Sequence, residues 1–332
     1  MKERNIQLRK PRGLHGKTVV VTGASSGVGK AIALEMARYG AKVVLAARRE
    51  KALEELASEC ESLGVMAMVV PTDVTNSDAV QTLASTAEAW GGKIDVWVNN
   101  AGLLGAGVFD EIPIAVNKKI VETNLTGYIN GAHAVLPYFK KQGFGILINN
   151  ISVGGWFPTP YAAAYSASKF GLVGFSQALK GELHKWPHIH ICDVFPAFLD
   201  TPGIQHAANY TGCVLKPAPP VYDPQKVAKA IAQLALHPKP STTVGIVATV
   251  LKYAHAFFPV LSRRITAGVI DIYLKNADRI PNTSGNVFEP LESGTTIHGS
   301  QRTPPMQKRK KISGVLLIAG LALGLALVSR RK

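Results

Sequence analysis

Apolar residues in this chain cluster in short, nearly unbroken runs, and between the runs they recur every three or four positions. The runs at 17–22, 42–47, 65–70, 94–98, 146–150, 189–194 and 243–247 are rich in valine and isoleucine and predict seven strands. The stretches at 30–39, 50–62, 76–90, 117–141, 162–185 and 224–236 carry the helical period. Strands alternating with helices predict a parallel sheet, because a parallel connection needs a crossover long enough to hold a helix. Several strands are apolar on both faces, as when helices cover both sides of a sheet. The expected fold class is therefore α/β, a doubly wound parallel sheet over residues 14–250, with ligands bound beyond the carboxyl ends of the strands.

Outside that unit the pattern changes. Residues 1–13 are a polar, basic arm with no apolar stretch long enough for a secretory signal. Residues 251–281 carry aromatic and aliphatic positions interrupted by Pro259, Arg263 and Arg264, which predicts one kinked helix or two short ones. This helical extension is expected to cover a substrate cleft or face a second subunit, with a bilayer interface as the other reading. Residues 282–311 are rich in Gly, Ser, Thr, Pro and charge and read as a flexible linker. Residues 312–328 are continuously apolar or small apart from Ser313, and 329–332 form a basic tail. At about 1.5 Å per residue the apolar segment falls slightly short of a hydrocarbon core, but flanking lysines and arginines can reach the headgroups. A single-pass C-terminal transmembrane anchor is expected, the other reading being a buried or subunit-packing helix. Both flanks are basic, so charge gives no orientation; the absence of an N-terminal signal places the catalytic domain on the cytoplasmic side.

With 47% apolar residues, the 332-residue chain can bury a substantial core. Its net charge of +15 raises the possibility of a nucleic-acid partner, but the basic residues form no long stripe with interleaved aromatics. Seven of them flank the apolar segment, at 308–311 and 330–332, which suits an anionic membrane surface instead. Nucleic acid is accordingly not an expected partner. Cys60, Cys192 and Cys213 are widely spaced, without metal-ligand spacing, and no dense His/Cys/Asp/Glu cluster calls for a metal.

Candidate chemistry begins at the first strand. In Thr22, Gly23, Ala24, Ser25, Ser26, Gly27, Val28 and Gly29 the glycines permit a compact turn, and the helix that follows offers unpaired N–H groups and a positive dipole end to a pyrophosphate. A Rossmann-like dinucleotide site follows from that turn lying between strand and helix. At the end of the second strand, where NAD enzymes of this architecture place an acidic residue, the chain has Arg48 and Arg49. A carboxylate there would repel a 2′-phosphate and a guanidinium pairs with it, so NADP(H) is the expected cofactor, with Arg48 the stronger candidate. Asp73, followed by Val74, is placed to accept from the adenine amino group, or else to cap the next helix. Asn99, Ala101 and Gly102 end the fourth strand on the adenosine side, where Asn99 could equally hold the loop together.

Tyr165 and Lys169 are four residues apart and share a helix face, and Ser152 lies thirteen residues before Tyr165, just after a strand. A free tyrosine, with a pKa of about 10, is a poor base near neutrality. A neighbouring ammonium favours the phenolate and brings proton transfer into range. In carbonyl reduction Tyr165 would give the proton, Ser152 would hydrogen-bond the developing oxyanion, and Lys169 would also hold the nicotinamide ribose.

Taken together, Thr22 to Gly29, Asp73, Asn99 to Gly102, Asn124, Ser152 and Tyr165 to Lys169 resemble the short-chain dehydrogenase/reductase family in order and spacing, over residues 14–250. The resemblance implies a seven-stranded sheet in the order 3-2-1-4-5-6-7 and a homo-oligomer built from helix faces. It implies that the backbone carbonyl of Asn124 holds a water linking Lys169 to solvent; a helix irregularity at 123–126 is the structural alternative. It also implies nicotinamide contacts from Pro196 and Thr201, although Ala197 stands where the family commonly has glycine. Residues 46–49 and the appended anchor resemble membrane-associated members that act on steroids, retinoids or other lipid-like carbonyls. Segments 103–113 and 198–220 follow cofactor-side strand ends and should line the substrate cavity, with Phe109, Trp156, Phe157, Phe198 and Leu199 as apolar candidates and His206 as a further one. Two other readings stay open: a soluble reductase of small polar carbonyls, and a non-catalytic scaffold that senses NADP(H) redox state.

Overall fold

The computed structural model describes residues 13–299. Along the chain run β1 (Thr18–Thr22), α1 (Gly27–Arg38), β2 (Lys42–Ala47), α2 (Glu50–Ser62), β3 (Ala67–Pro71), α3 (Ser77–Gly91) and β4 (Val96–Asn99). After a short strand β5 (Gly105–Gly107) come α4 (Ile114–Val121), α5 (Gly127–Gln142), β6 (Gly145–Asn150), α6 (Ala163–Glu182) and β7 (Ile189–Pro196). A second short strand β8 (Ala208–Tyr210) precedes α7 (Pro224–Leu236), β9 (Ser241–Val244), α8 (Ile246–Phe257) and α9 (Pro259–Asn276).

Seven strands form one all-parallel sheet in the order β3-β2-β1-β4-β6-β7-β9. Set the short β5–β8 pair aside and this is the expected order. The sheet is dry on both faces because its strands carry valine and isoleucine on both. Val19, Val21, Val43 and Leu45 pack with Ile32 and Met36 of α1, Leu53 of α2 and Ile231 of α7. Val20, Val44, Trp97 and Leu147 pack with Leu83 of α3, Phe139 of α5 and Leu179 of α6 on the other side. Each such large side chain contributes about 1.5–3 kcal/mol on burial, the main term opposing chain entropy. A buried polar chain pins α6 to the sheet: Ser176 and Lys180 each donate to Asp193 of β7 at 2.6 Å, and Asp193 also accepts from Asn149 of β6. That anchoring fixes the helix which carries Tyr165 and Lys169.

The structure departs from the sequence expectations in several places. The last strand, expected at 243–247, is Ser241–Val244; Gly245 at φ +95° turns the chain at once into α8. The single helix expected at 117–141 is broken by a π turn at Glu122–Thr126, the irregularity anticipated near 123–126. The extension at 251–281 is two helices, parted at Phe258 with Pro259 opening α9, where its missing N–H costs nothing. Residues 282–299, expected as the start of a flexible linker, carry no regular structure but are held against the sheet's carboxyl edge by hydrogen bonds to Arg48, Arg49 and Gly27. The sequence composition there is that of a linker because the bonds are made by its backbone carbonyls. Among the described residues no helix is long and apolar enough to cross a membrane. The segment 312–328, where the anchor is expected, the tail 329–332, linker residues 300–311 and arm residues 1–12 lie outside the described residues.

Candidate active site

A cavity of about 1280 Å³ follows the carboxyl ends of the strands from the β1–α1 turn to α8 and α9. At its nucleotide end, Gly23, Ser25, Ser26, Gly27, Val28 and Gly29 form the wall. Gly27 sits at φ +54°, and a Cβ on Gly29 would fall 2.0 Å from the Gly23 carbonyl, so only glycine lets the helix approach the turn this closely. Ser26 caps α1 without a side-chain hydrogen bond, and no acidic residue lies in the first turn. The positive end of the helix thus carries no neutralising charge of its own and favours an anion, although Gly27 N–H donates to Thr296 O. Thr22 is not in the wall. Its hydroxyl donates to Val98 O at 3.2 Å and accepts from Asn100 N at 2.9 Å, which ties β1 to β4.

Arg48 and Arg49 both line the cavity, and among the described residues neither pairs with a carboxylate. Burial and the charge of Arg48 hold the Arg49 pKa below its ordinary value. Two unneutralised guanidinium groups side by side are an environment that a phosphate relieves. Asp73 and Val74 line the same region. Asp73 Oδ1 accepts from the backbone N–H and hydroxyl of Thr75. Burial pushes this carboxyl's pKa up, but those bonds and the charges of Lys119 and Arg48 outweigh it, and the net shift is downward. The helix cap is Asn76, not Asp73.

The loop after β4 corrects one assignment. Asn99 is buried, accepts from Trp97 and donates to Tyr128 O and Asn149 Oδ1, so it holds the interior together and does not line the cavity. Asn100 takes the position expected of Asn99, lining the cavity with Ala101 and Gly102 while its amide donates to Thr22 O. Asn150, missed in the sequence, bonds Asn100 Oδ1 through Nδ2; its own Oδ1 is a buried acceptor without a partner among the described residues. An orphaned acceptor in this wall suits a ligand hydroxyl. A helix N-terminus without an acidic cap, two adjacent guanidiniums and an orphaned acceptor together fit a phosphorylated dinucleotide.

Ser152, Tyr165 and Lys169 share the wall farther along. Ser152 lies two residues past the end of β6 at φ +114°, a strained conformation for a residue with a side chain, and its hydroxyl accepts from Gly154 N at 3.1 Å. Tyr165 and Lys169 lie on one face of α6, with Lys169 Nζ 5.7 Å from the Tyr165 ring centre and 5.0 Å from that of Tyr128. Burial raises the Tyr165 pKa, opposed by a hydrogen bond with Ser152. Burial likewise lowers the Lys169 pKa to about 7. The sequence expectation of a phenol acidified by a full ammonium is therefore only half met: desolvation acts on both groups and favours neutral phenol and neutral amine. Asn124, fully buried in the π turn, accepts from Leu103 N and donates to Leu103 O and Ser168 Oγ. The wider turn displaces backbone carbonyls from the regular helical ladder. Its side chain positions the loop after β4.

At the far end the cavity is lined by Leu103, Leu104, Phe157, Phe198, Leu199 and by Val247, Leu251, Ile265 and Val269 of α8 and α9, with Pro196 and Thr201 between the two ends. Ala197 is accommodated in the turn, its N–H donating to Val244 O. Tyr161 donates to Asp271, which ties the loop ahead of α6 to α9. Phe109 is exposed, and Trp156 stacks on Phe195 beneath Lys252, so neither lines the cavity. His206 is buried in the wall, but its surroundings are Gly294 and Ser293 near Arg49. It serves the nucleotide end, away from the apolar one. No group of three or more His, Cys, Asp or Glu side chains among the described residues could hold a metal ion.

Residues 17–210 match the sequence model of a family described as short chain dehydrogenase. An oxidoreductase of Bacillus subtilis, YxnA, is 34% identical over 274 residues, 81% of this chain and 76% of that protein. Among solved structures, an actinorhodin polyketide ketoreductase with NADPH is 30% identical with a TM-score of 0.62, covering 69% of this chain and 95% of that one. An alcohol dehydrogenase from the archaeon Thermococcus sibiricus, complexed with 5-hydroxy-NADP, is 27% identical with a TM-score of 0.60, covering 69% and 94%.

Proposed function

The chain belongs to the short chain dehydrogenase family of oxidoreductases, and from that membership we propose that it is an NADP(H)-dependent enzyme interconverting an apolar, lipid-like carbonyl compound and its alcohol. The observation that carries this reading is the meeting, in one cavity, of Ser152, Tyr165 and Lys169 with a helix N-terminus that has no acidic cap and two arginines that lack carboxylate partners among the described residues. Arg48, Arg49, the turn from Gly23 to Gly29, Asp73, Val74, Ala101, Gly102, Pro196 and Thr201 would hold NADP(H), which when bound supplies or accepts the hydride.

In reduction Tyr165 donates its proton to the carbonyl oxygen. Its raised pKa keeps the phenol protonated until that moment, as a proton donor requires. Ser152 donates a hydrogen bond to the same oxygen as negative charge develops there. Lys169, with a pKa of about 7, takes up a proton near neutrality and stabilises the phenolate that Tyr165 becomes. The backbone carbonyl of Asn124 in the π turn would hold the water through which Lys169 exchanges protons with solvent. Oxidation of the alcohol runs the same transfers in reverse.

The apolar class of substrate is supported by the aliphatic and aromatic lining from Leu103 to Val269. Membrane placement is supported by the apolar segment 312–328 and by Ile246, Tyr253, Phe257, Val260 and Ile272, which α8 and α9 leave exposed. Ile129 and Phe170, exposed on α5 and α6, are consistent with a homo-oligomer packed through helix faces. Purified full-length protein in detergent is expected to oxidise NADPH faster with apolar than with polar ketones, and to co-sediment with phospholipid vesicles. Absence of ketone-dependent oxidation across the panel contradicts the reductase reading, and protein left in the supernatant contradicts the membrane placement.

Arg48→Ala is expected to weaken NADPH binding about 10- to 100-fold, the loss of one charge-assisted contact, with a smaller loss for NADH, which has no 2′-phosphate. Titration of nicotinamide fluorescence checks it; equal losses for the two nucleotides would contradict 2′-phosphate recognition by Arg48.

A further inference from the structure

Residues 286–296 cross the outside of the nucleotide end of the cavity and hold its binding groups with backbone carbonyls. Arg48 donates to Asn286 O at 2.6 Å and Phe288 O at 2.8 Å. Arg49 donates from Nη1 to Leu291 O at 3.0 Å and Ser293 O at 2.9 Å, while its Nε and Nη2 grip Ser25. Gly27 N–H, the first of α1, donates to Thr296 O at 2.9 Å. The segment is pinned at both ends, by Thr283 pairing with Asn209 and by Gly299 N–H on Asp200. Between the pins its one fully buried side chain is Val287, packed among Leu103, Ile120 and Ala208.

Three features make this strap a wall and not a plug. The cavity of about 1280 Å³ persists beneath it, and Asn286, Pro290 and Leu291 line that cavity alongside the glycine turn. Its acceptors are neutral carbonyls, so the guanidinium charges remain available to a phosphate. The two arginines also divide the work. Arg49 spends donors from all three nitrogens on the strap and Ser25, whereas Arg48 gives the strap one bond from each Nη and leaves Nε without a partner among the described residues.

We propose that residues 286–296 are a latch closed over the bound nucleotide, with Arg49 as the positioning residue that fastens it, so that the strap must lift for NADP(H) to enter or leave. The proposal rests on the NADP(H) reading above and deepens it. The strap has no helical or strand ladder of its own, and a few side-chain bonds and one apolar plug are a hold that local opening can break without unfolding the sheet.

The test uses the full chain with Val287→Asp, which unseats the plug, and Gly294→Val. Gly294 lies at φ +72°, and a Cβ there would sit 2.1 Å from His206 Nε2, so valine pushes the strap outward. NADPH release is followed by fluorescence in a displacement experiment and is expected to accelerate about tenfold or more, with weaker overall affinity. In the wild-type protein a glutamate-specific protease should cut after the exposed Glu292, and saturating NADPH should slow that cut. The protease experiment decides alone if the variants do not fold. Release rates unchanged in folded variants, or wild-type cleavage equal with and without NADPH, would overturn the latch, as would tighter binding in the variants, the mark of an autoinhibitory plug. Failure of wild-type protein to bind NADPH at all would instead remove the cofactor reading on which the latch depends.

Discussion

Tyr165→Phe is expected to lower turnover about 100- to 10,000-fold, the range contributed by a positioned proton donor. The change removes one oxygen from a ring whose packing against Gly154 and α6 stays in place, so nucleotide affinity should hold within about twofold. The physical reason lies in the environment of the phenol. Burial holds it neutral and Ser152 hydrogen-bonds it, whereas the other tyrosines of the lining, Tyr161 and Tyr273, give their hydroxyls to Asp271 and Val214 O. Rates measured with saturating apolar ketone, beside NADPH titration of the same preparation, separate loss of chemistry from loss of binding. Turnover within a few-fold of wild type would remove Tyr165 from the proton path.

Lys169→Met is expected to have an effect of similar size on turnover and an opposite one on stability. Unfolded, this lysine keeps its proton to a pKa of about 10.4. Folded, burial brings it down to about 7. Between those values the unfolded chain binds more protons, so the contribution of Lys169 makes the protein more stable as pH rises from 7 toward 10, and below 7 the full cost of a buried ammonium is present. Methionine fills a similar volume without that cost. The variant should therefore melt at a higher temperature than wild type at pH 6, and the difference should shrink as pH rises toward 10. Melting curves for both proteins across that range check the sign, and a variant less stable than wild type at pH 6 would contradict it. A protein that retains a destabilising buried lysine at this position is consistent with the proton chemistry proposed for it.

The main sheet was legible because each strand carries its burial pattern on its surface: Val19 to Val21, Val43 to Leu45 and Val96 to Val98 are apolar on both faces, and a glycine turn follows the first of them. The nucleotide turn and the Ser152, Tyr165 and Lys169 set were legible because short-range spacing fixes them on one strand end and one helix face. What was not legible depends on long-range contacts. Asn99 and Asn100 are adjacent and chemically identical, and only the strand pleat and the buried Trp97 and Asn149 decide which one turns inward. Gly105 and Gly107 make a strand without strand propensity because Ile120 and Tyr210 leave no room for a Cβ. Residues 282–299 have the composition of a linker, and their order comes from arginines 238 to 244 residues away in the sequence. The spacing of Lys169 from Tyr165 carries only its ordinary charge, whereas its depressed pKa is a property of the surrounding core.

The most direct measurement of the central claim is transfer of label from NADPH deuterated at the hydride position to a ketone turned over by the purified full-length protein. Deuterium at the carbinol carbon of the product, formed by wild type and at a rate about 100-fold lower or less by Tyr165→Phe, is the result expected of this site. Bound NADPH with no label appearing in any ketone of the panel, or label transferred equally fast by Tyr165→Phe, would contradict it.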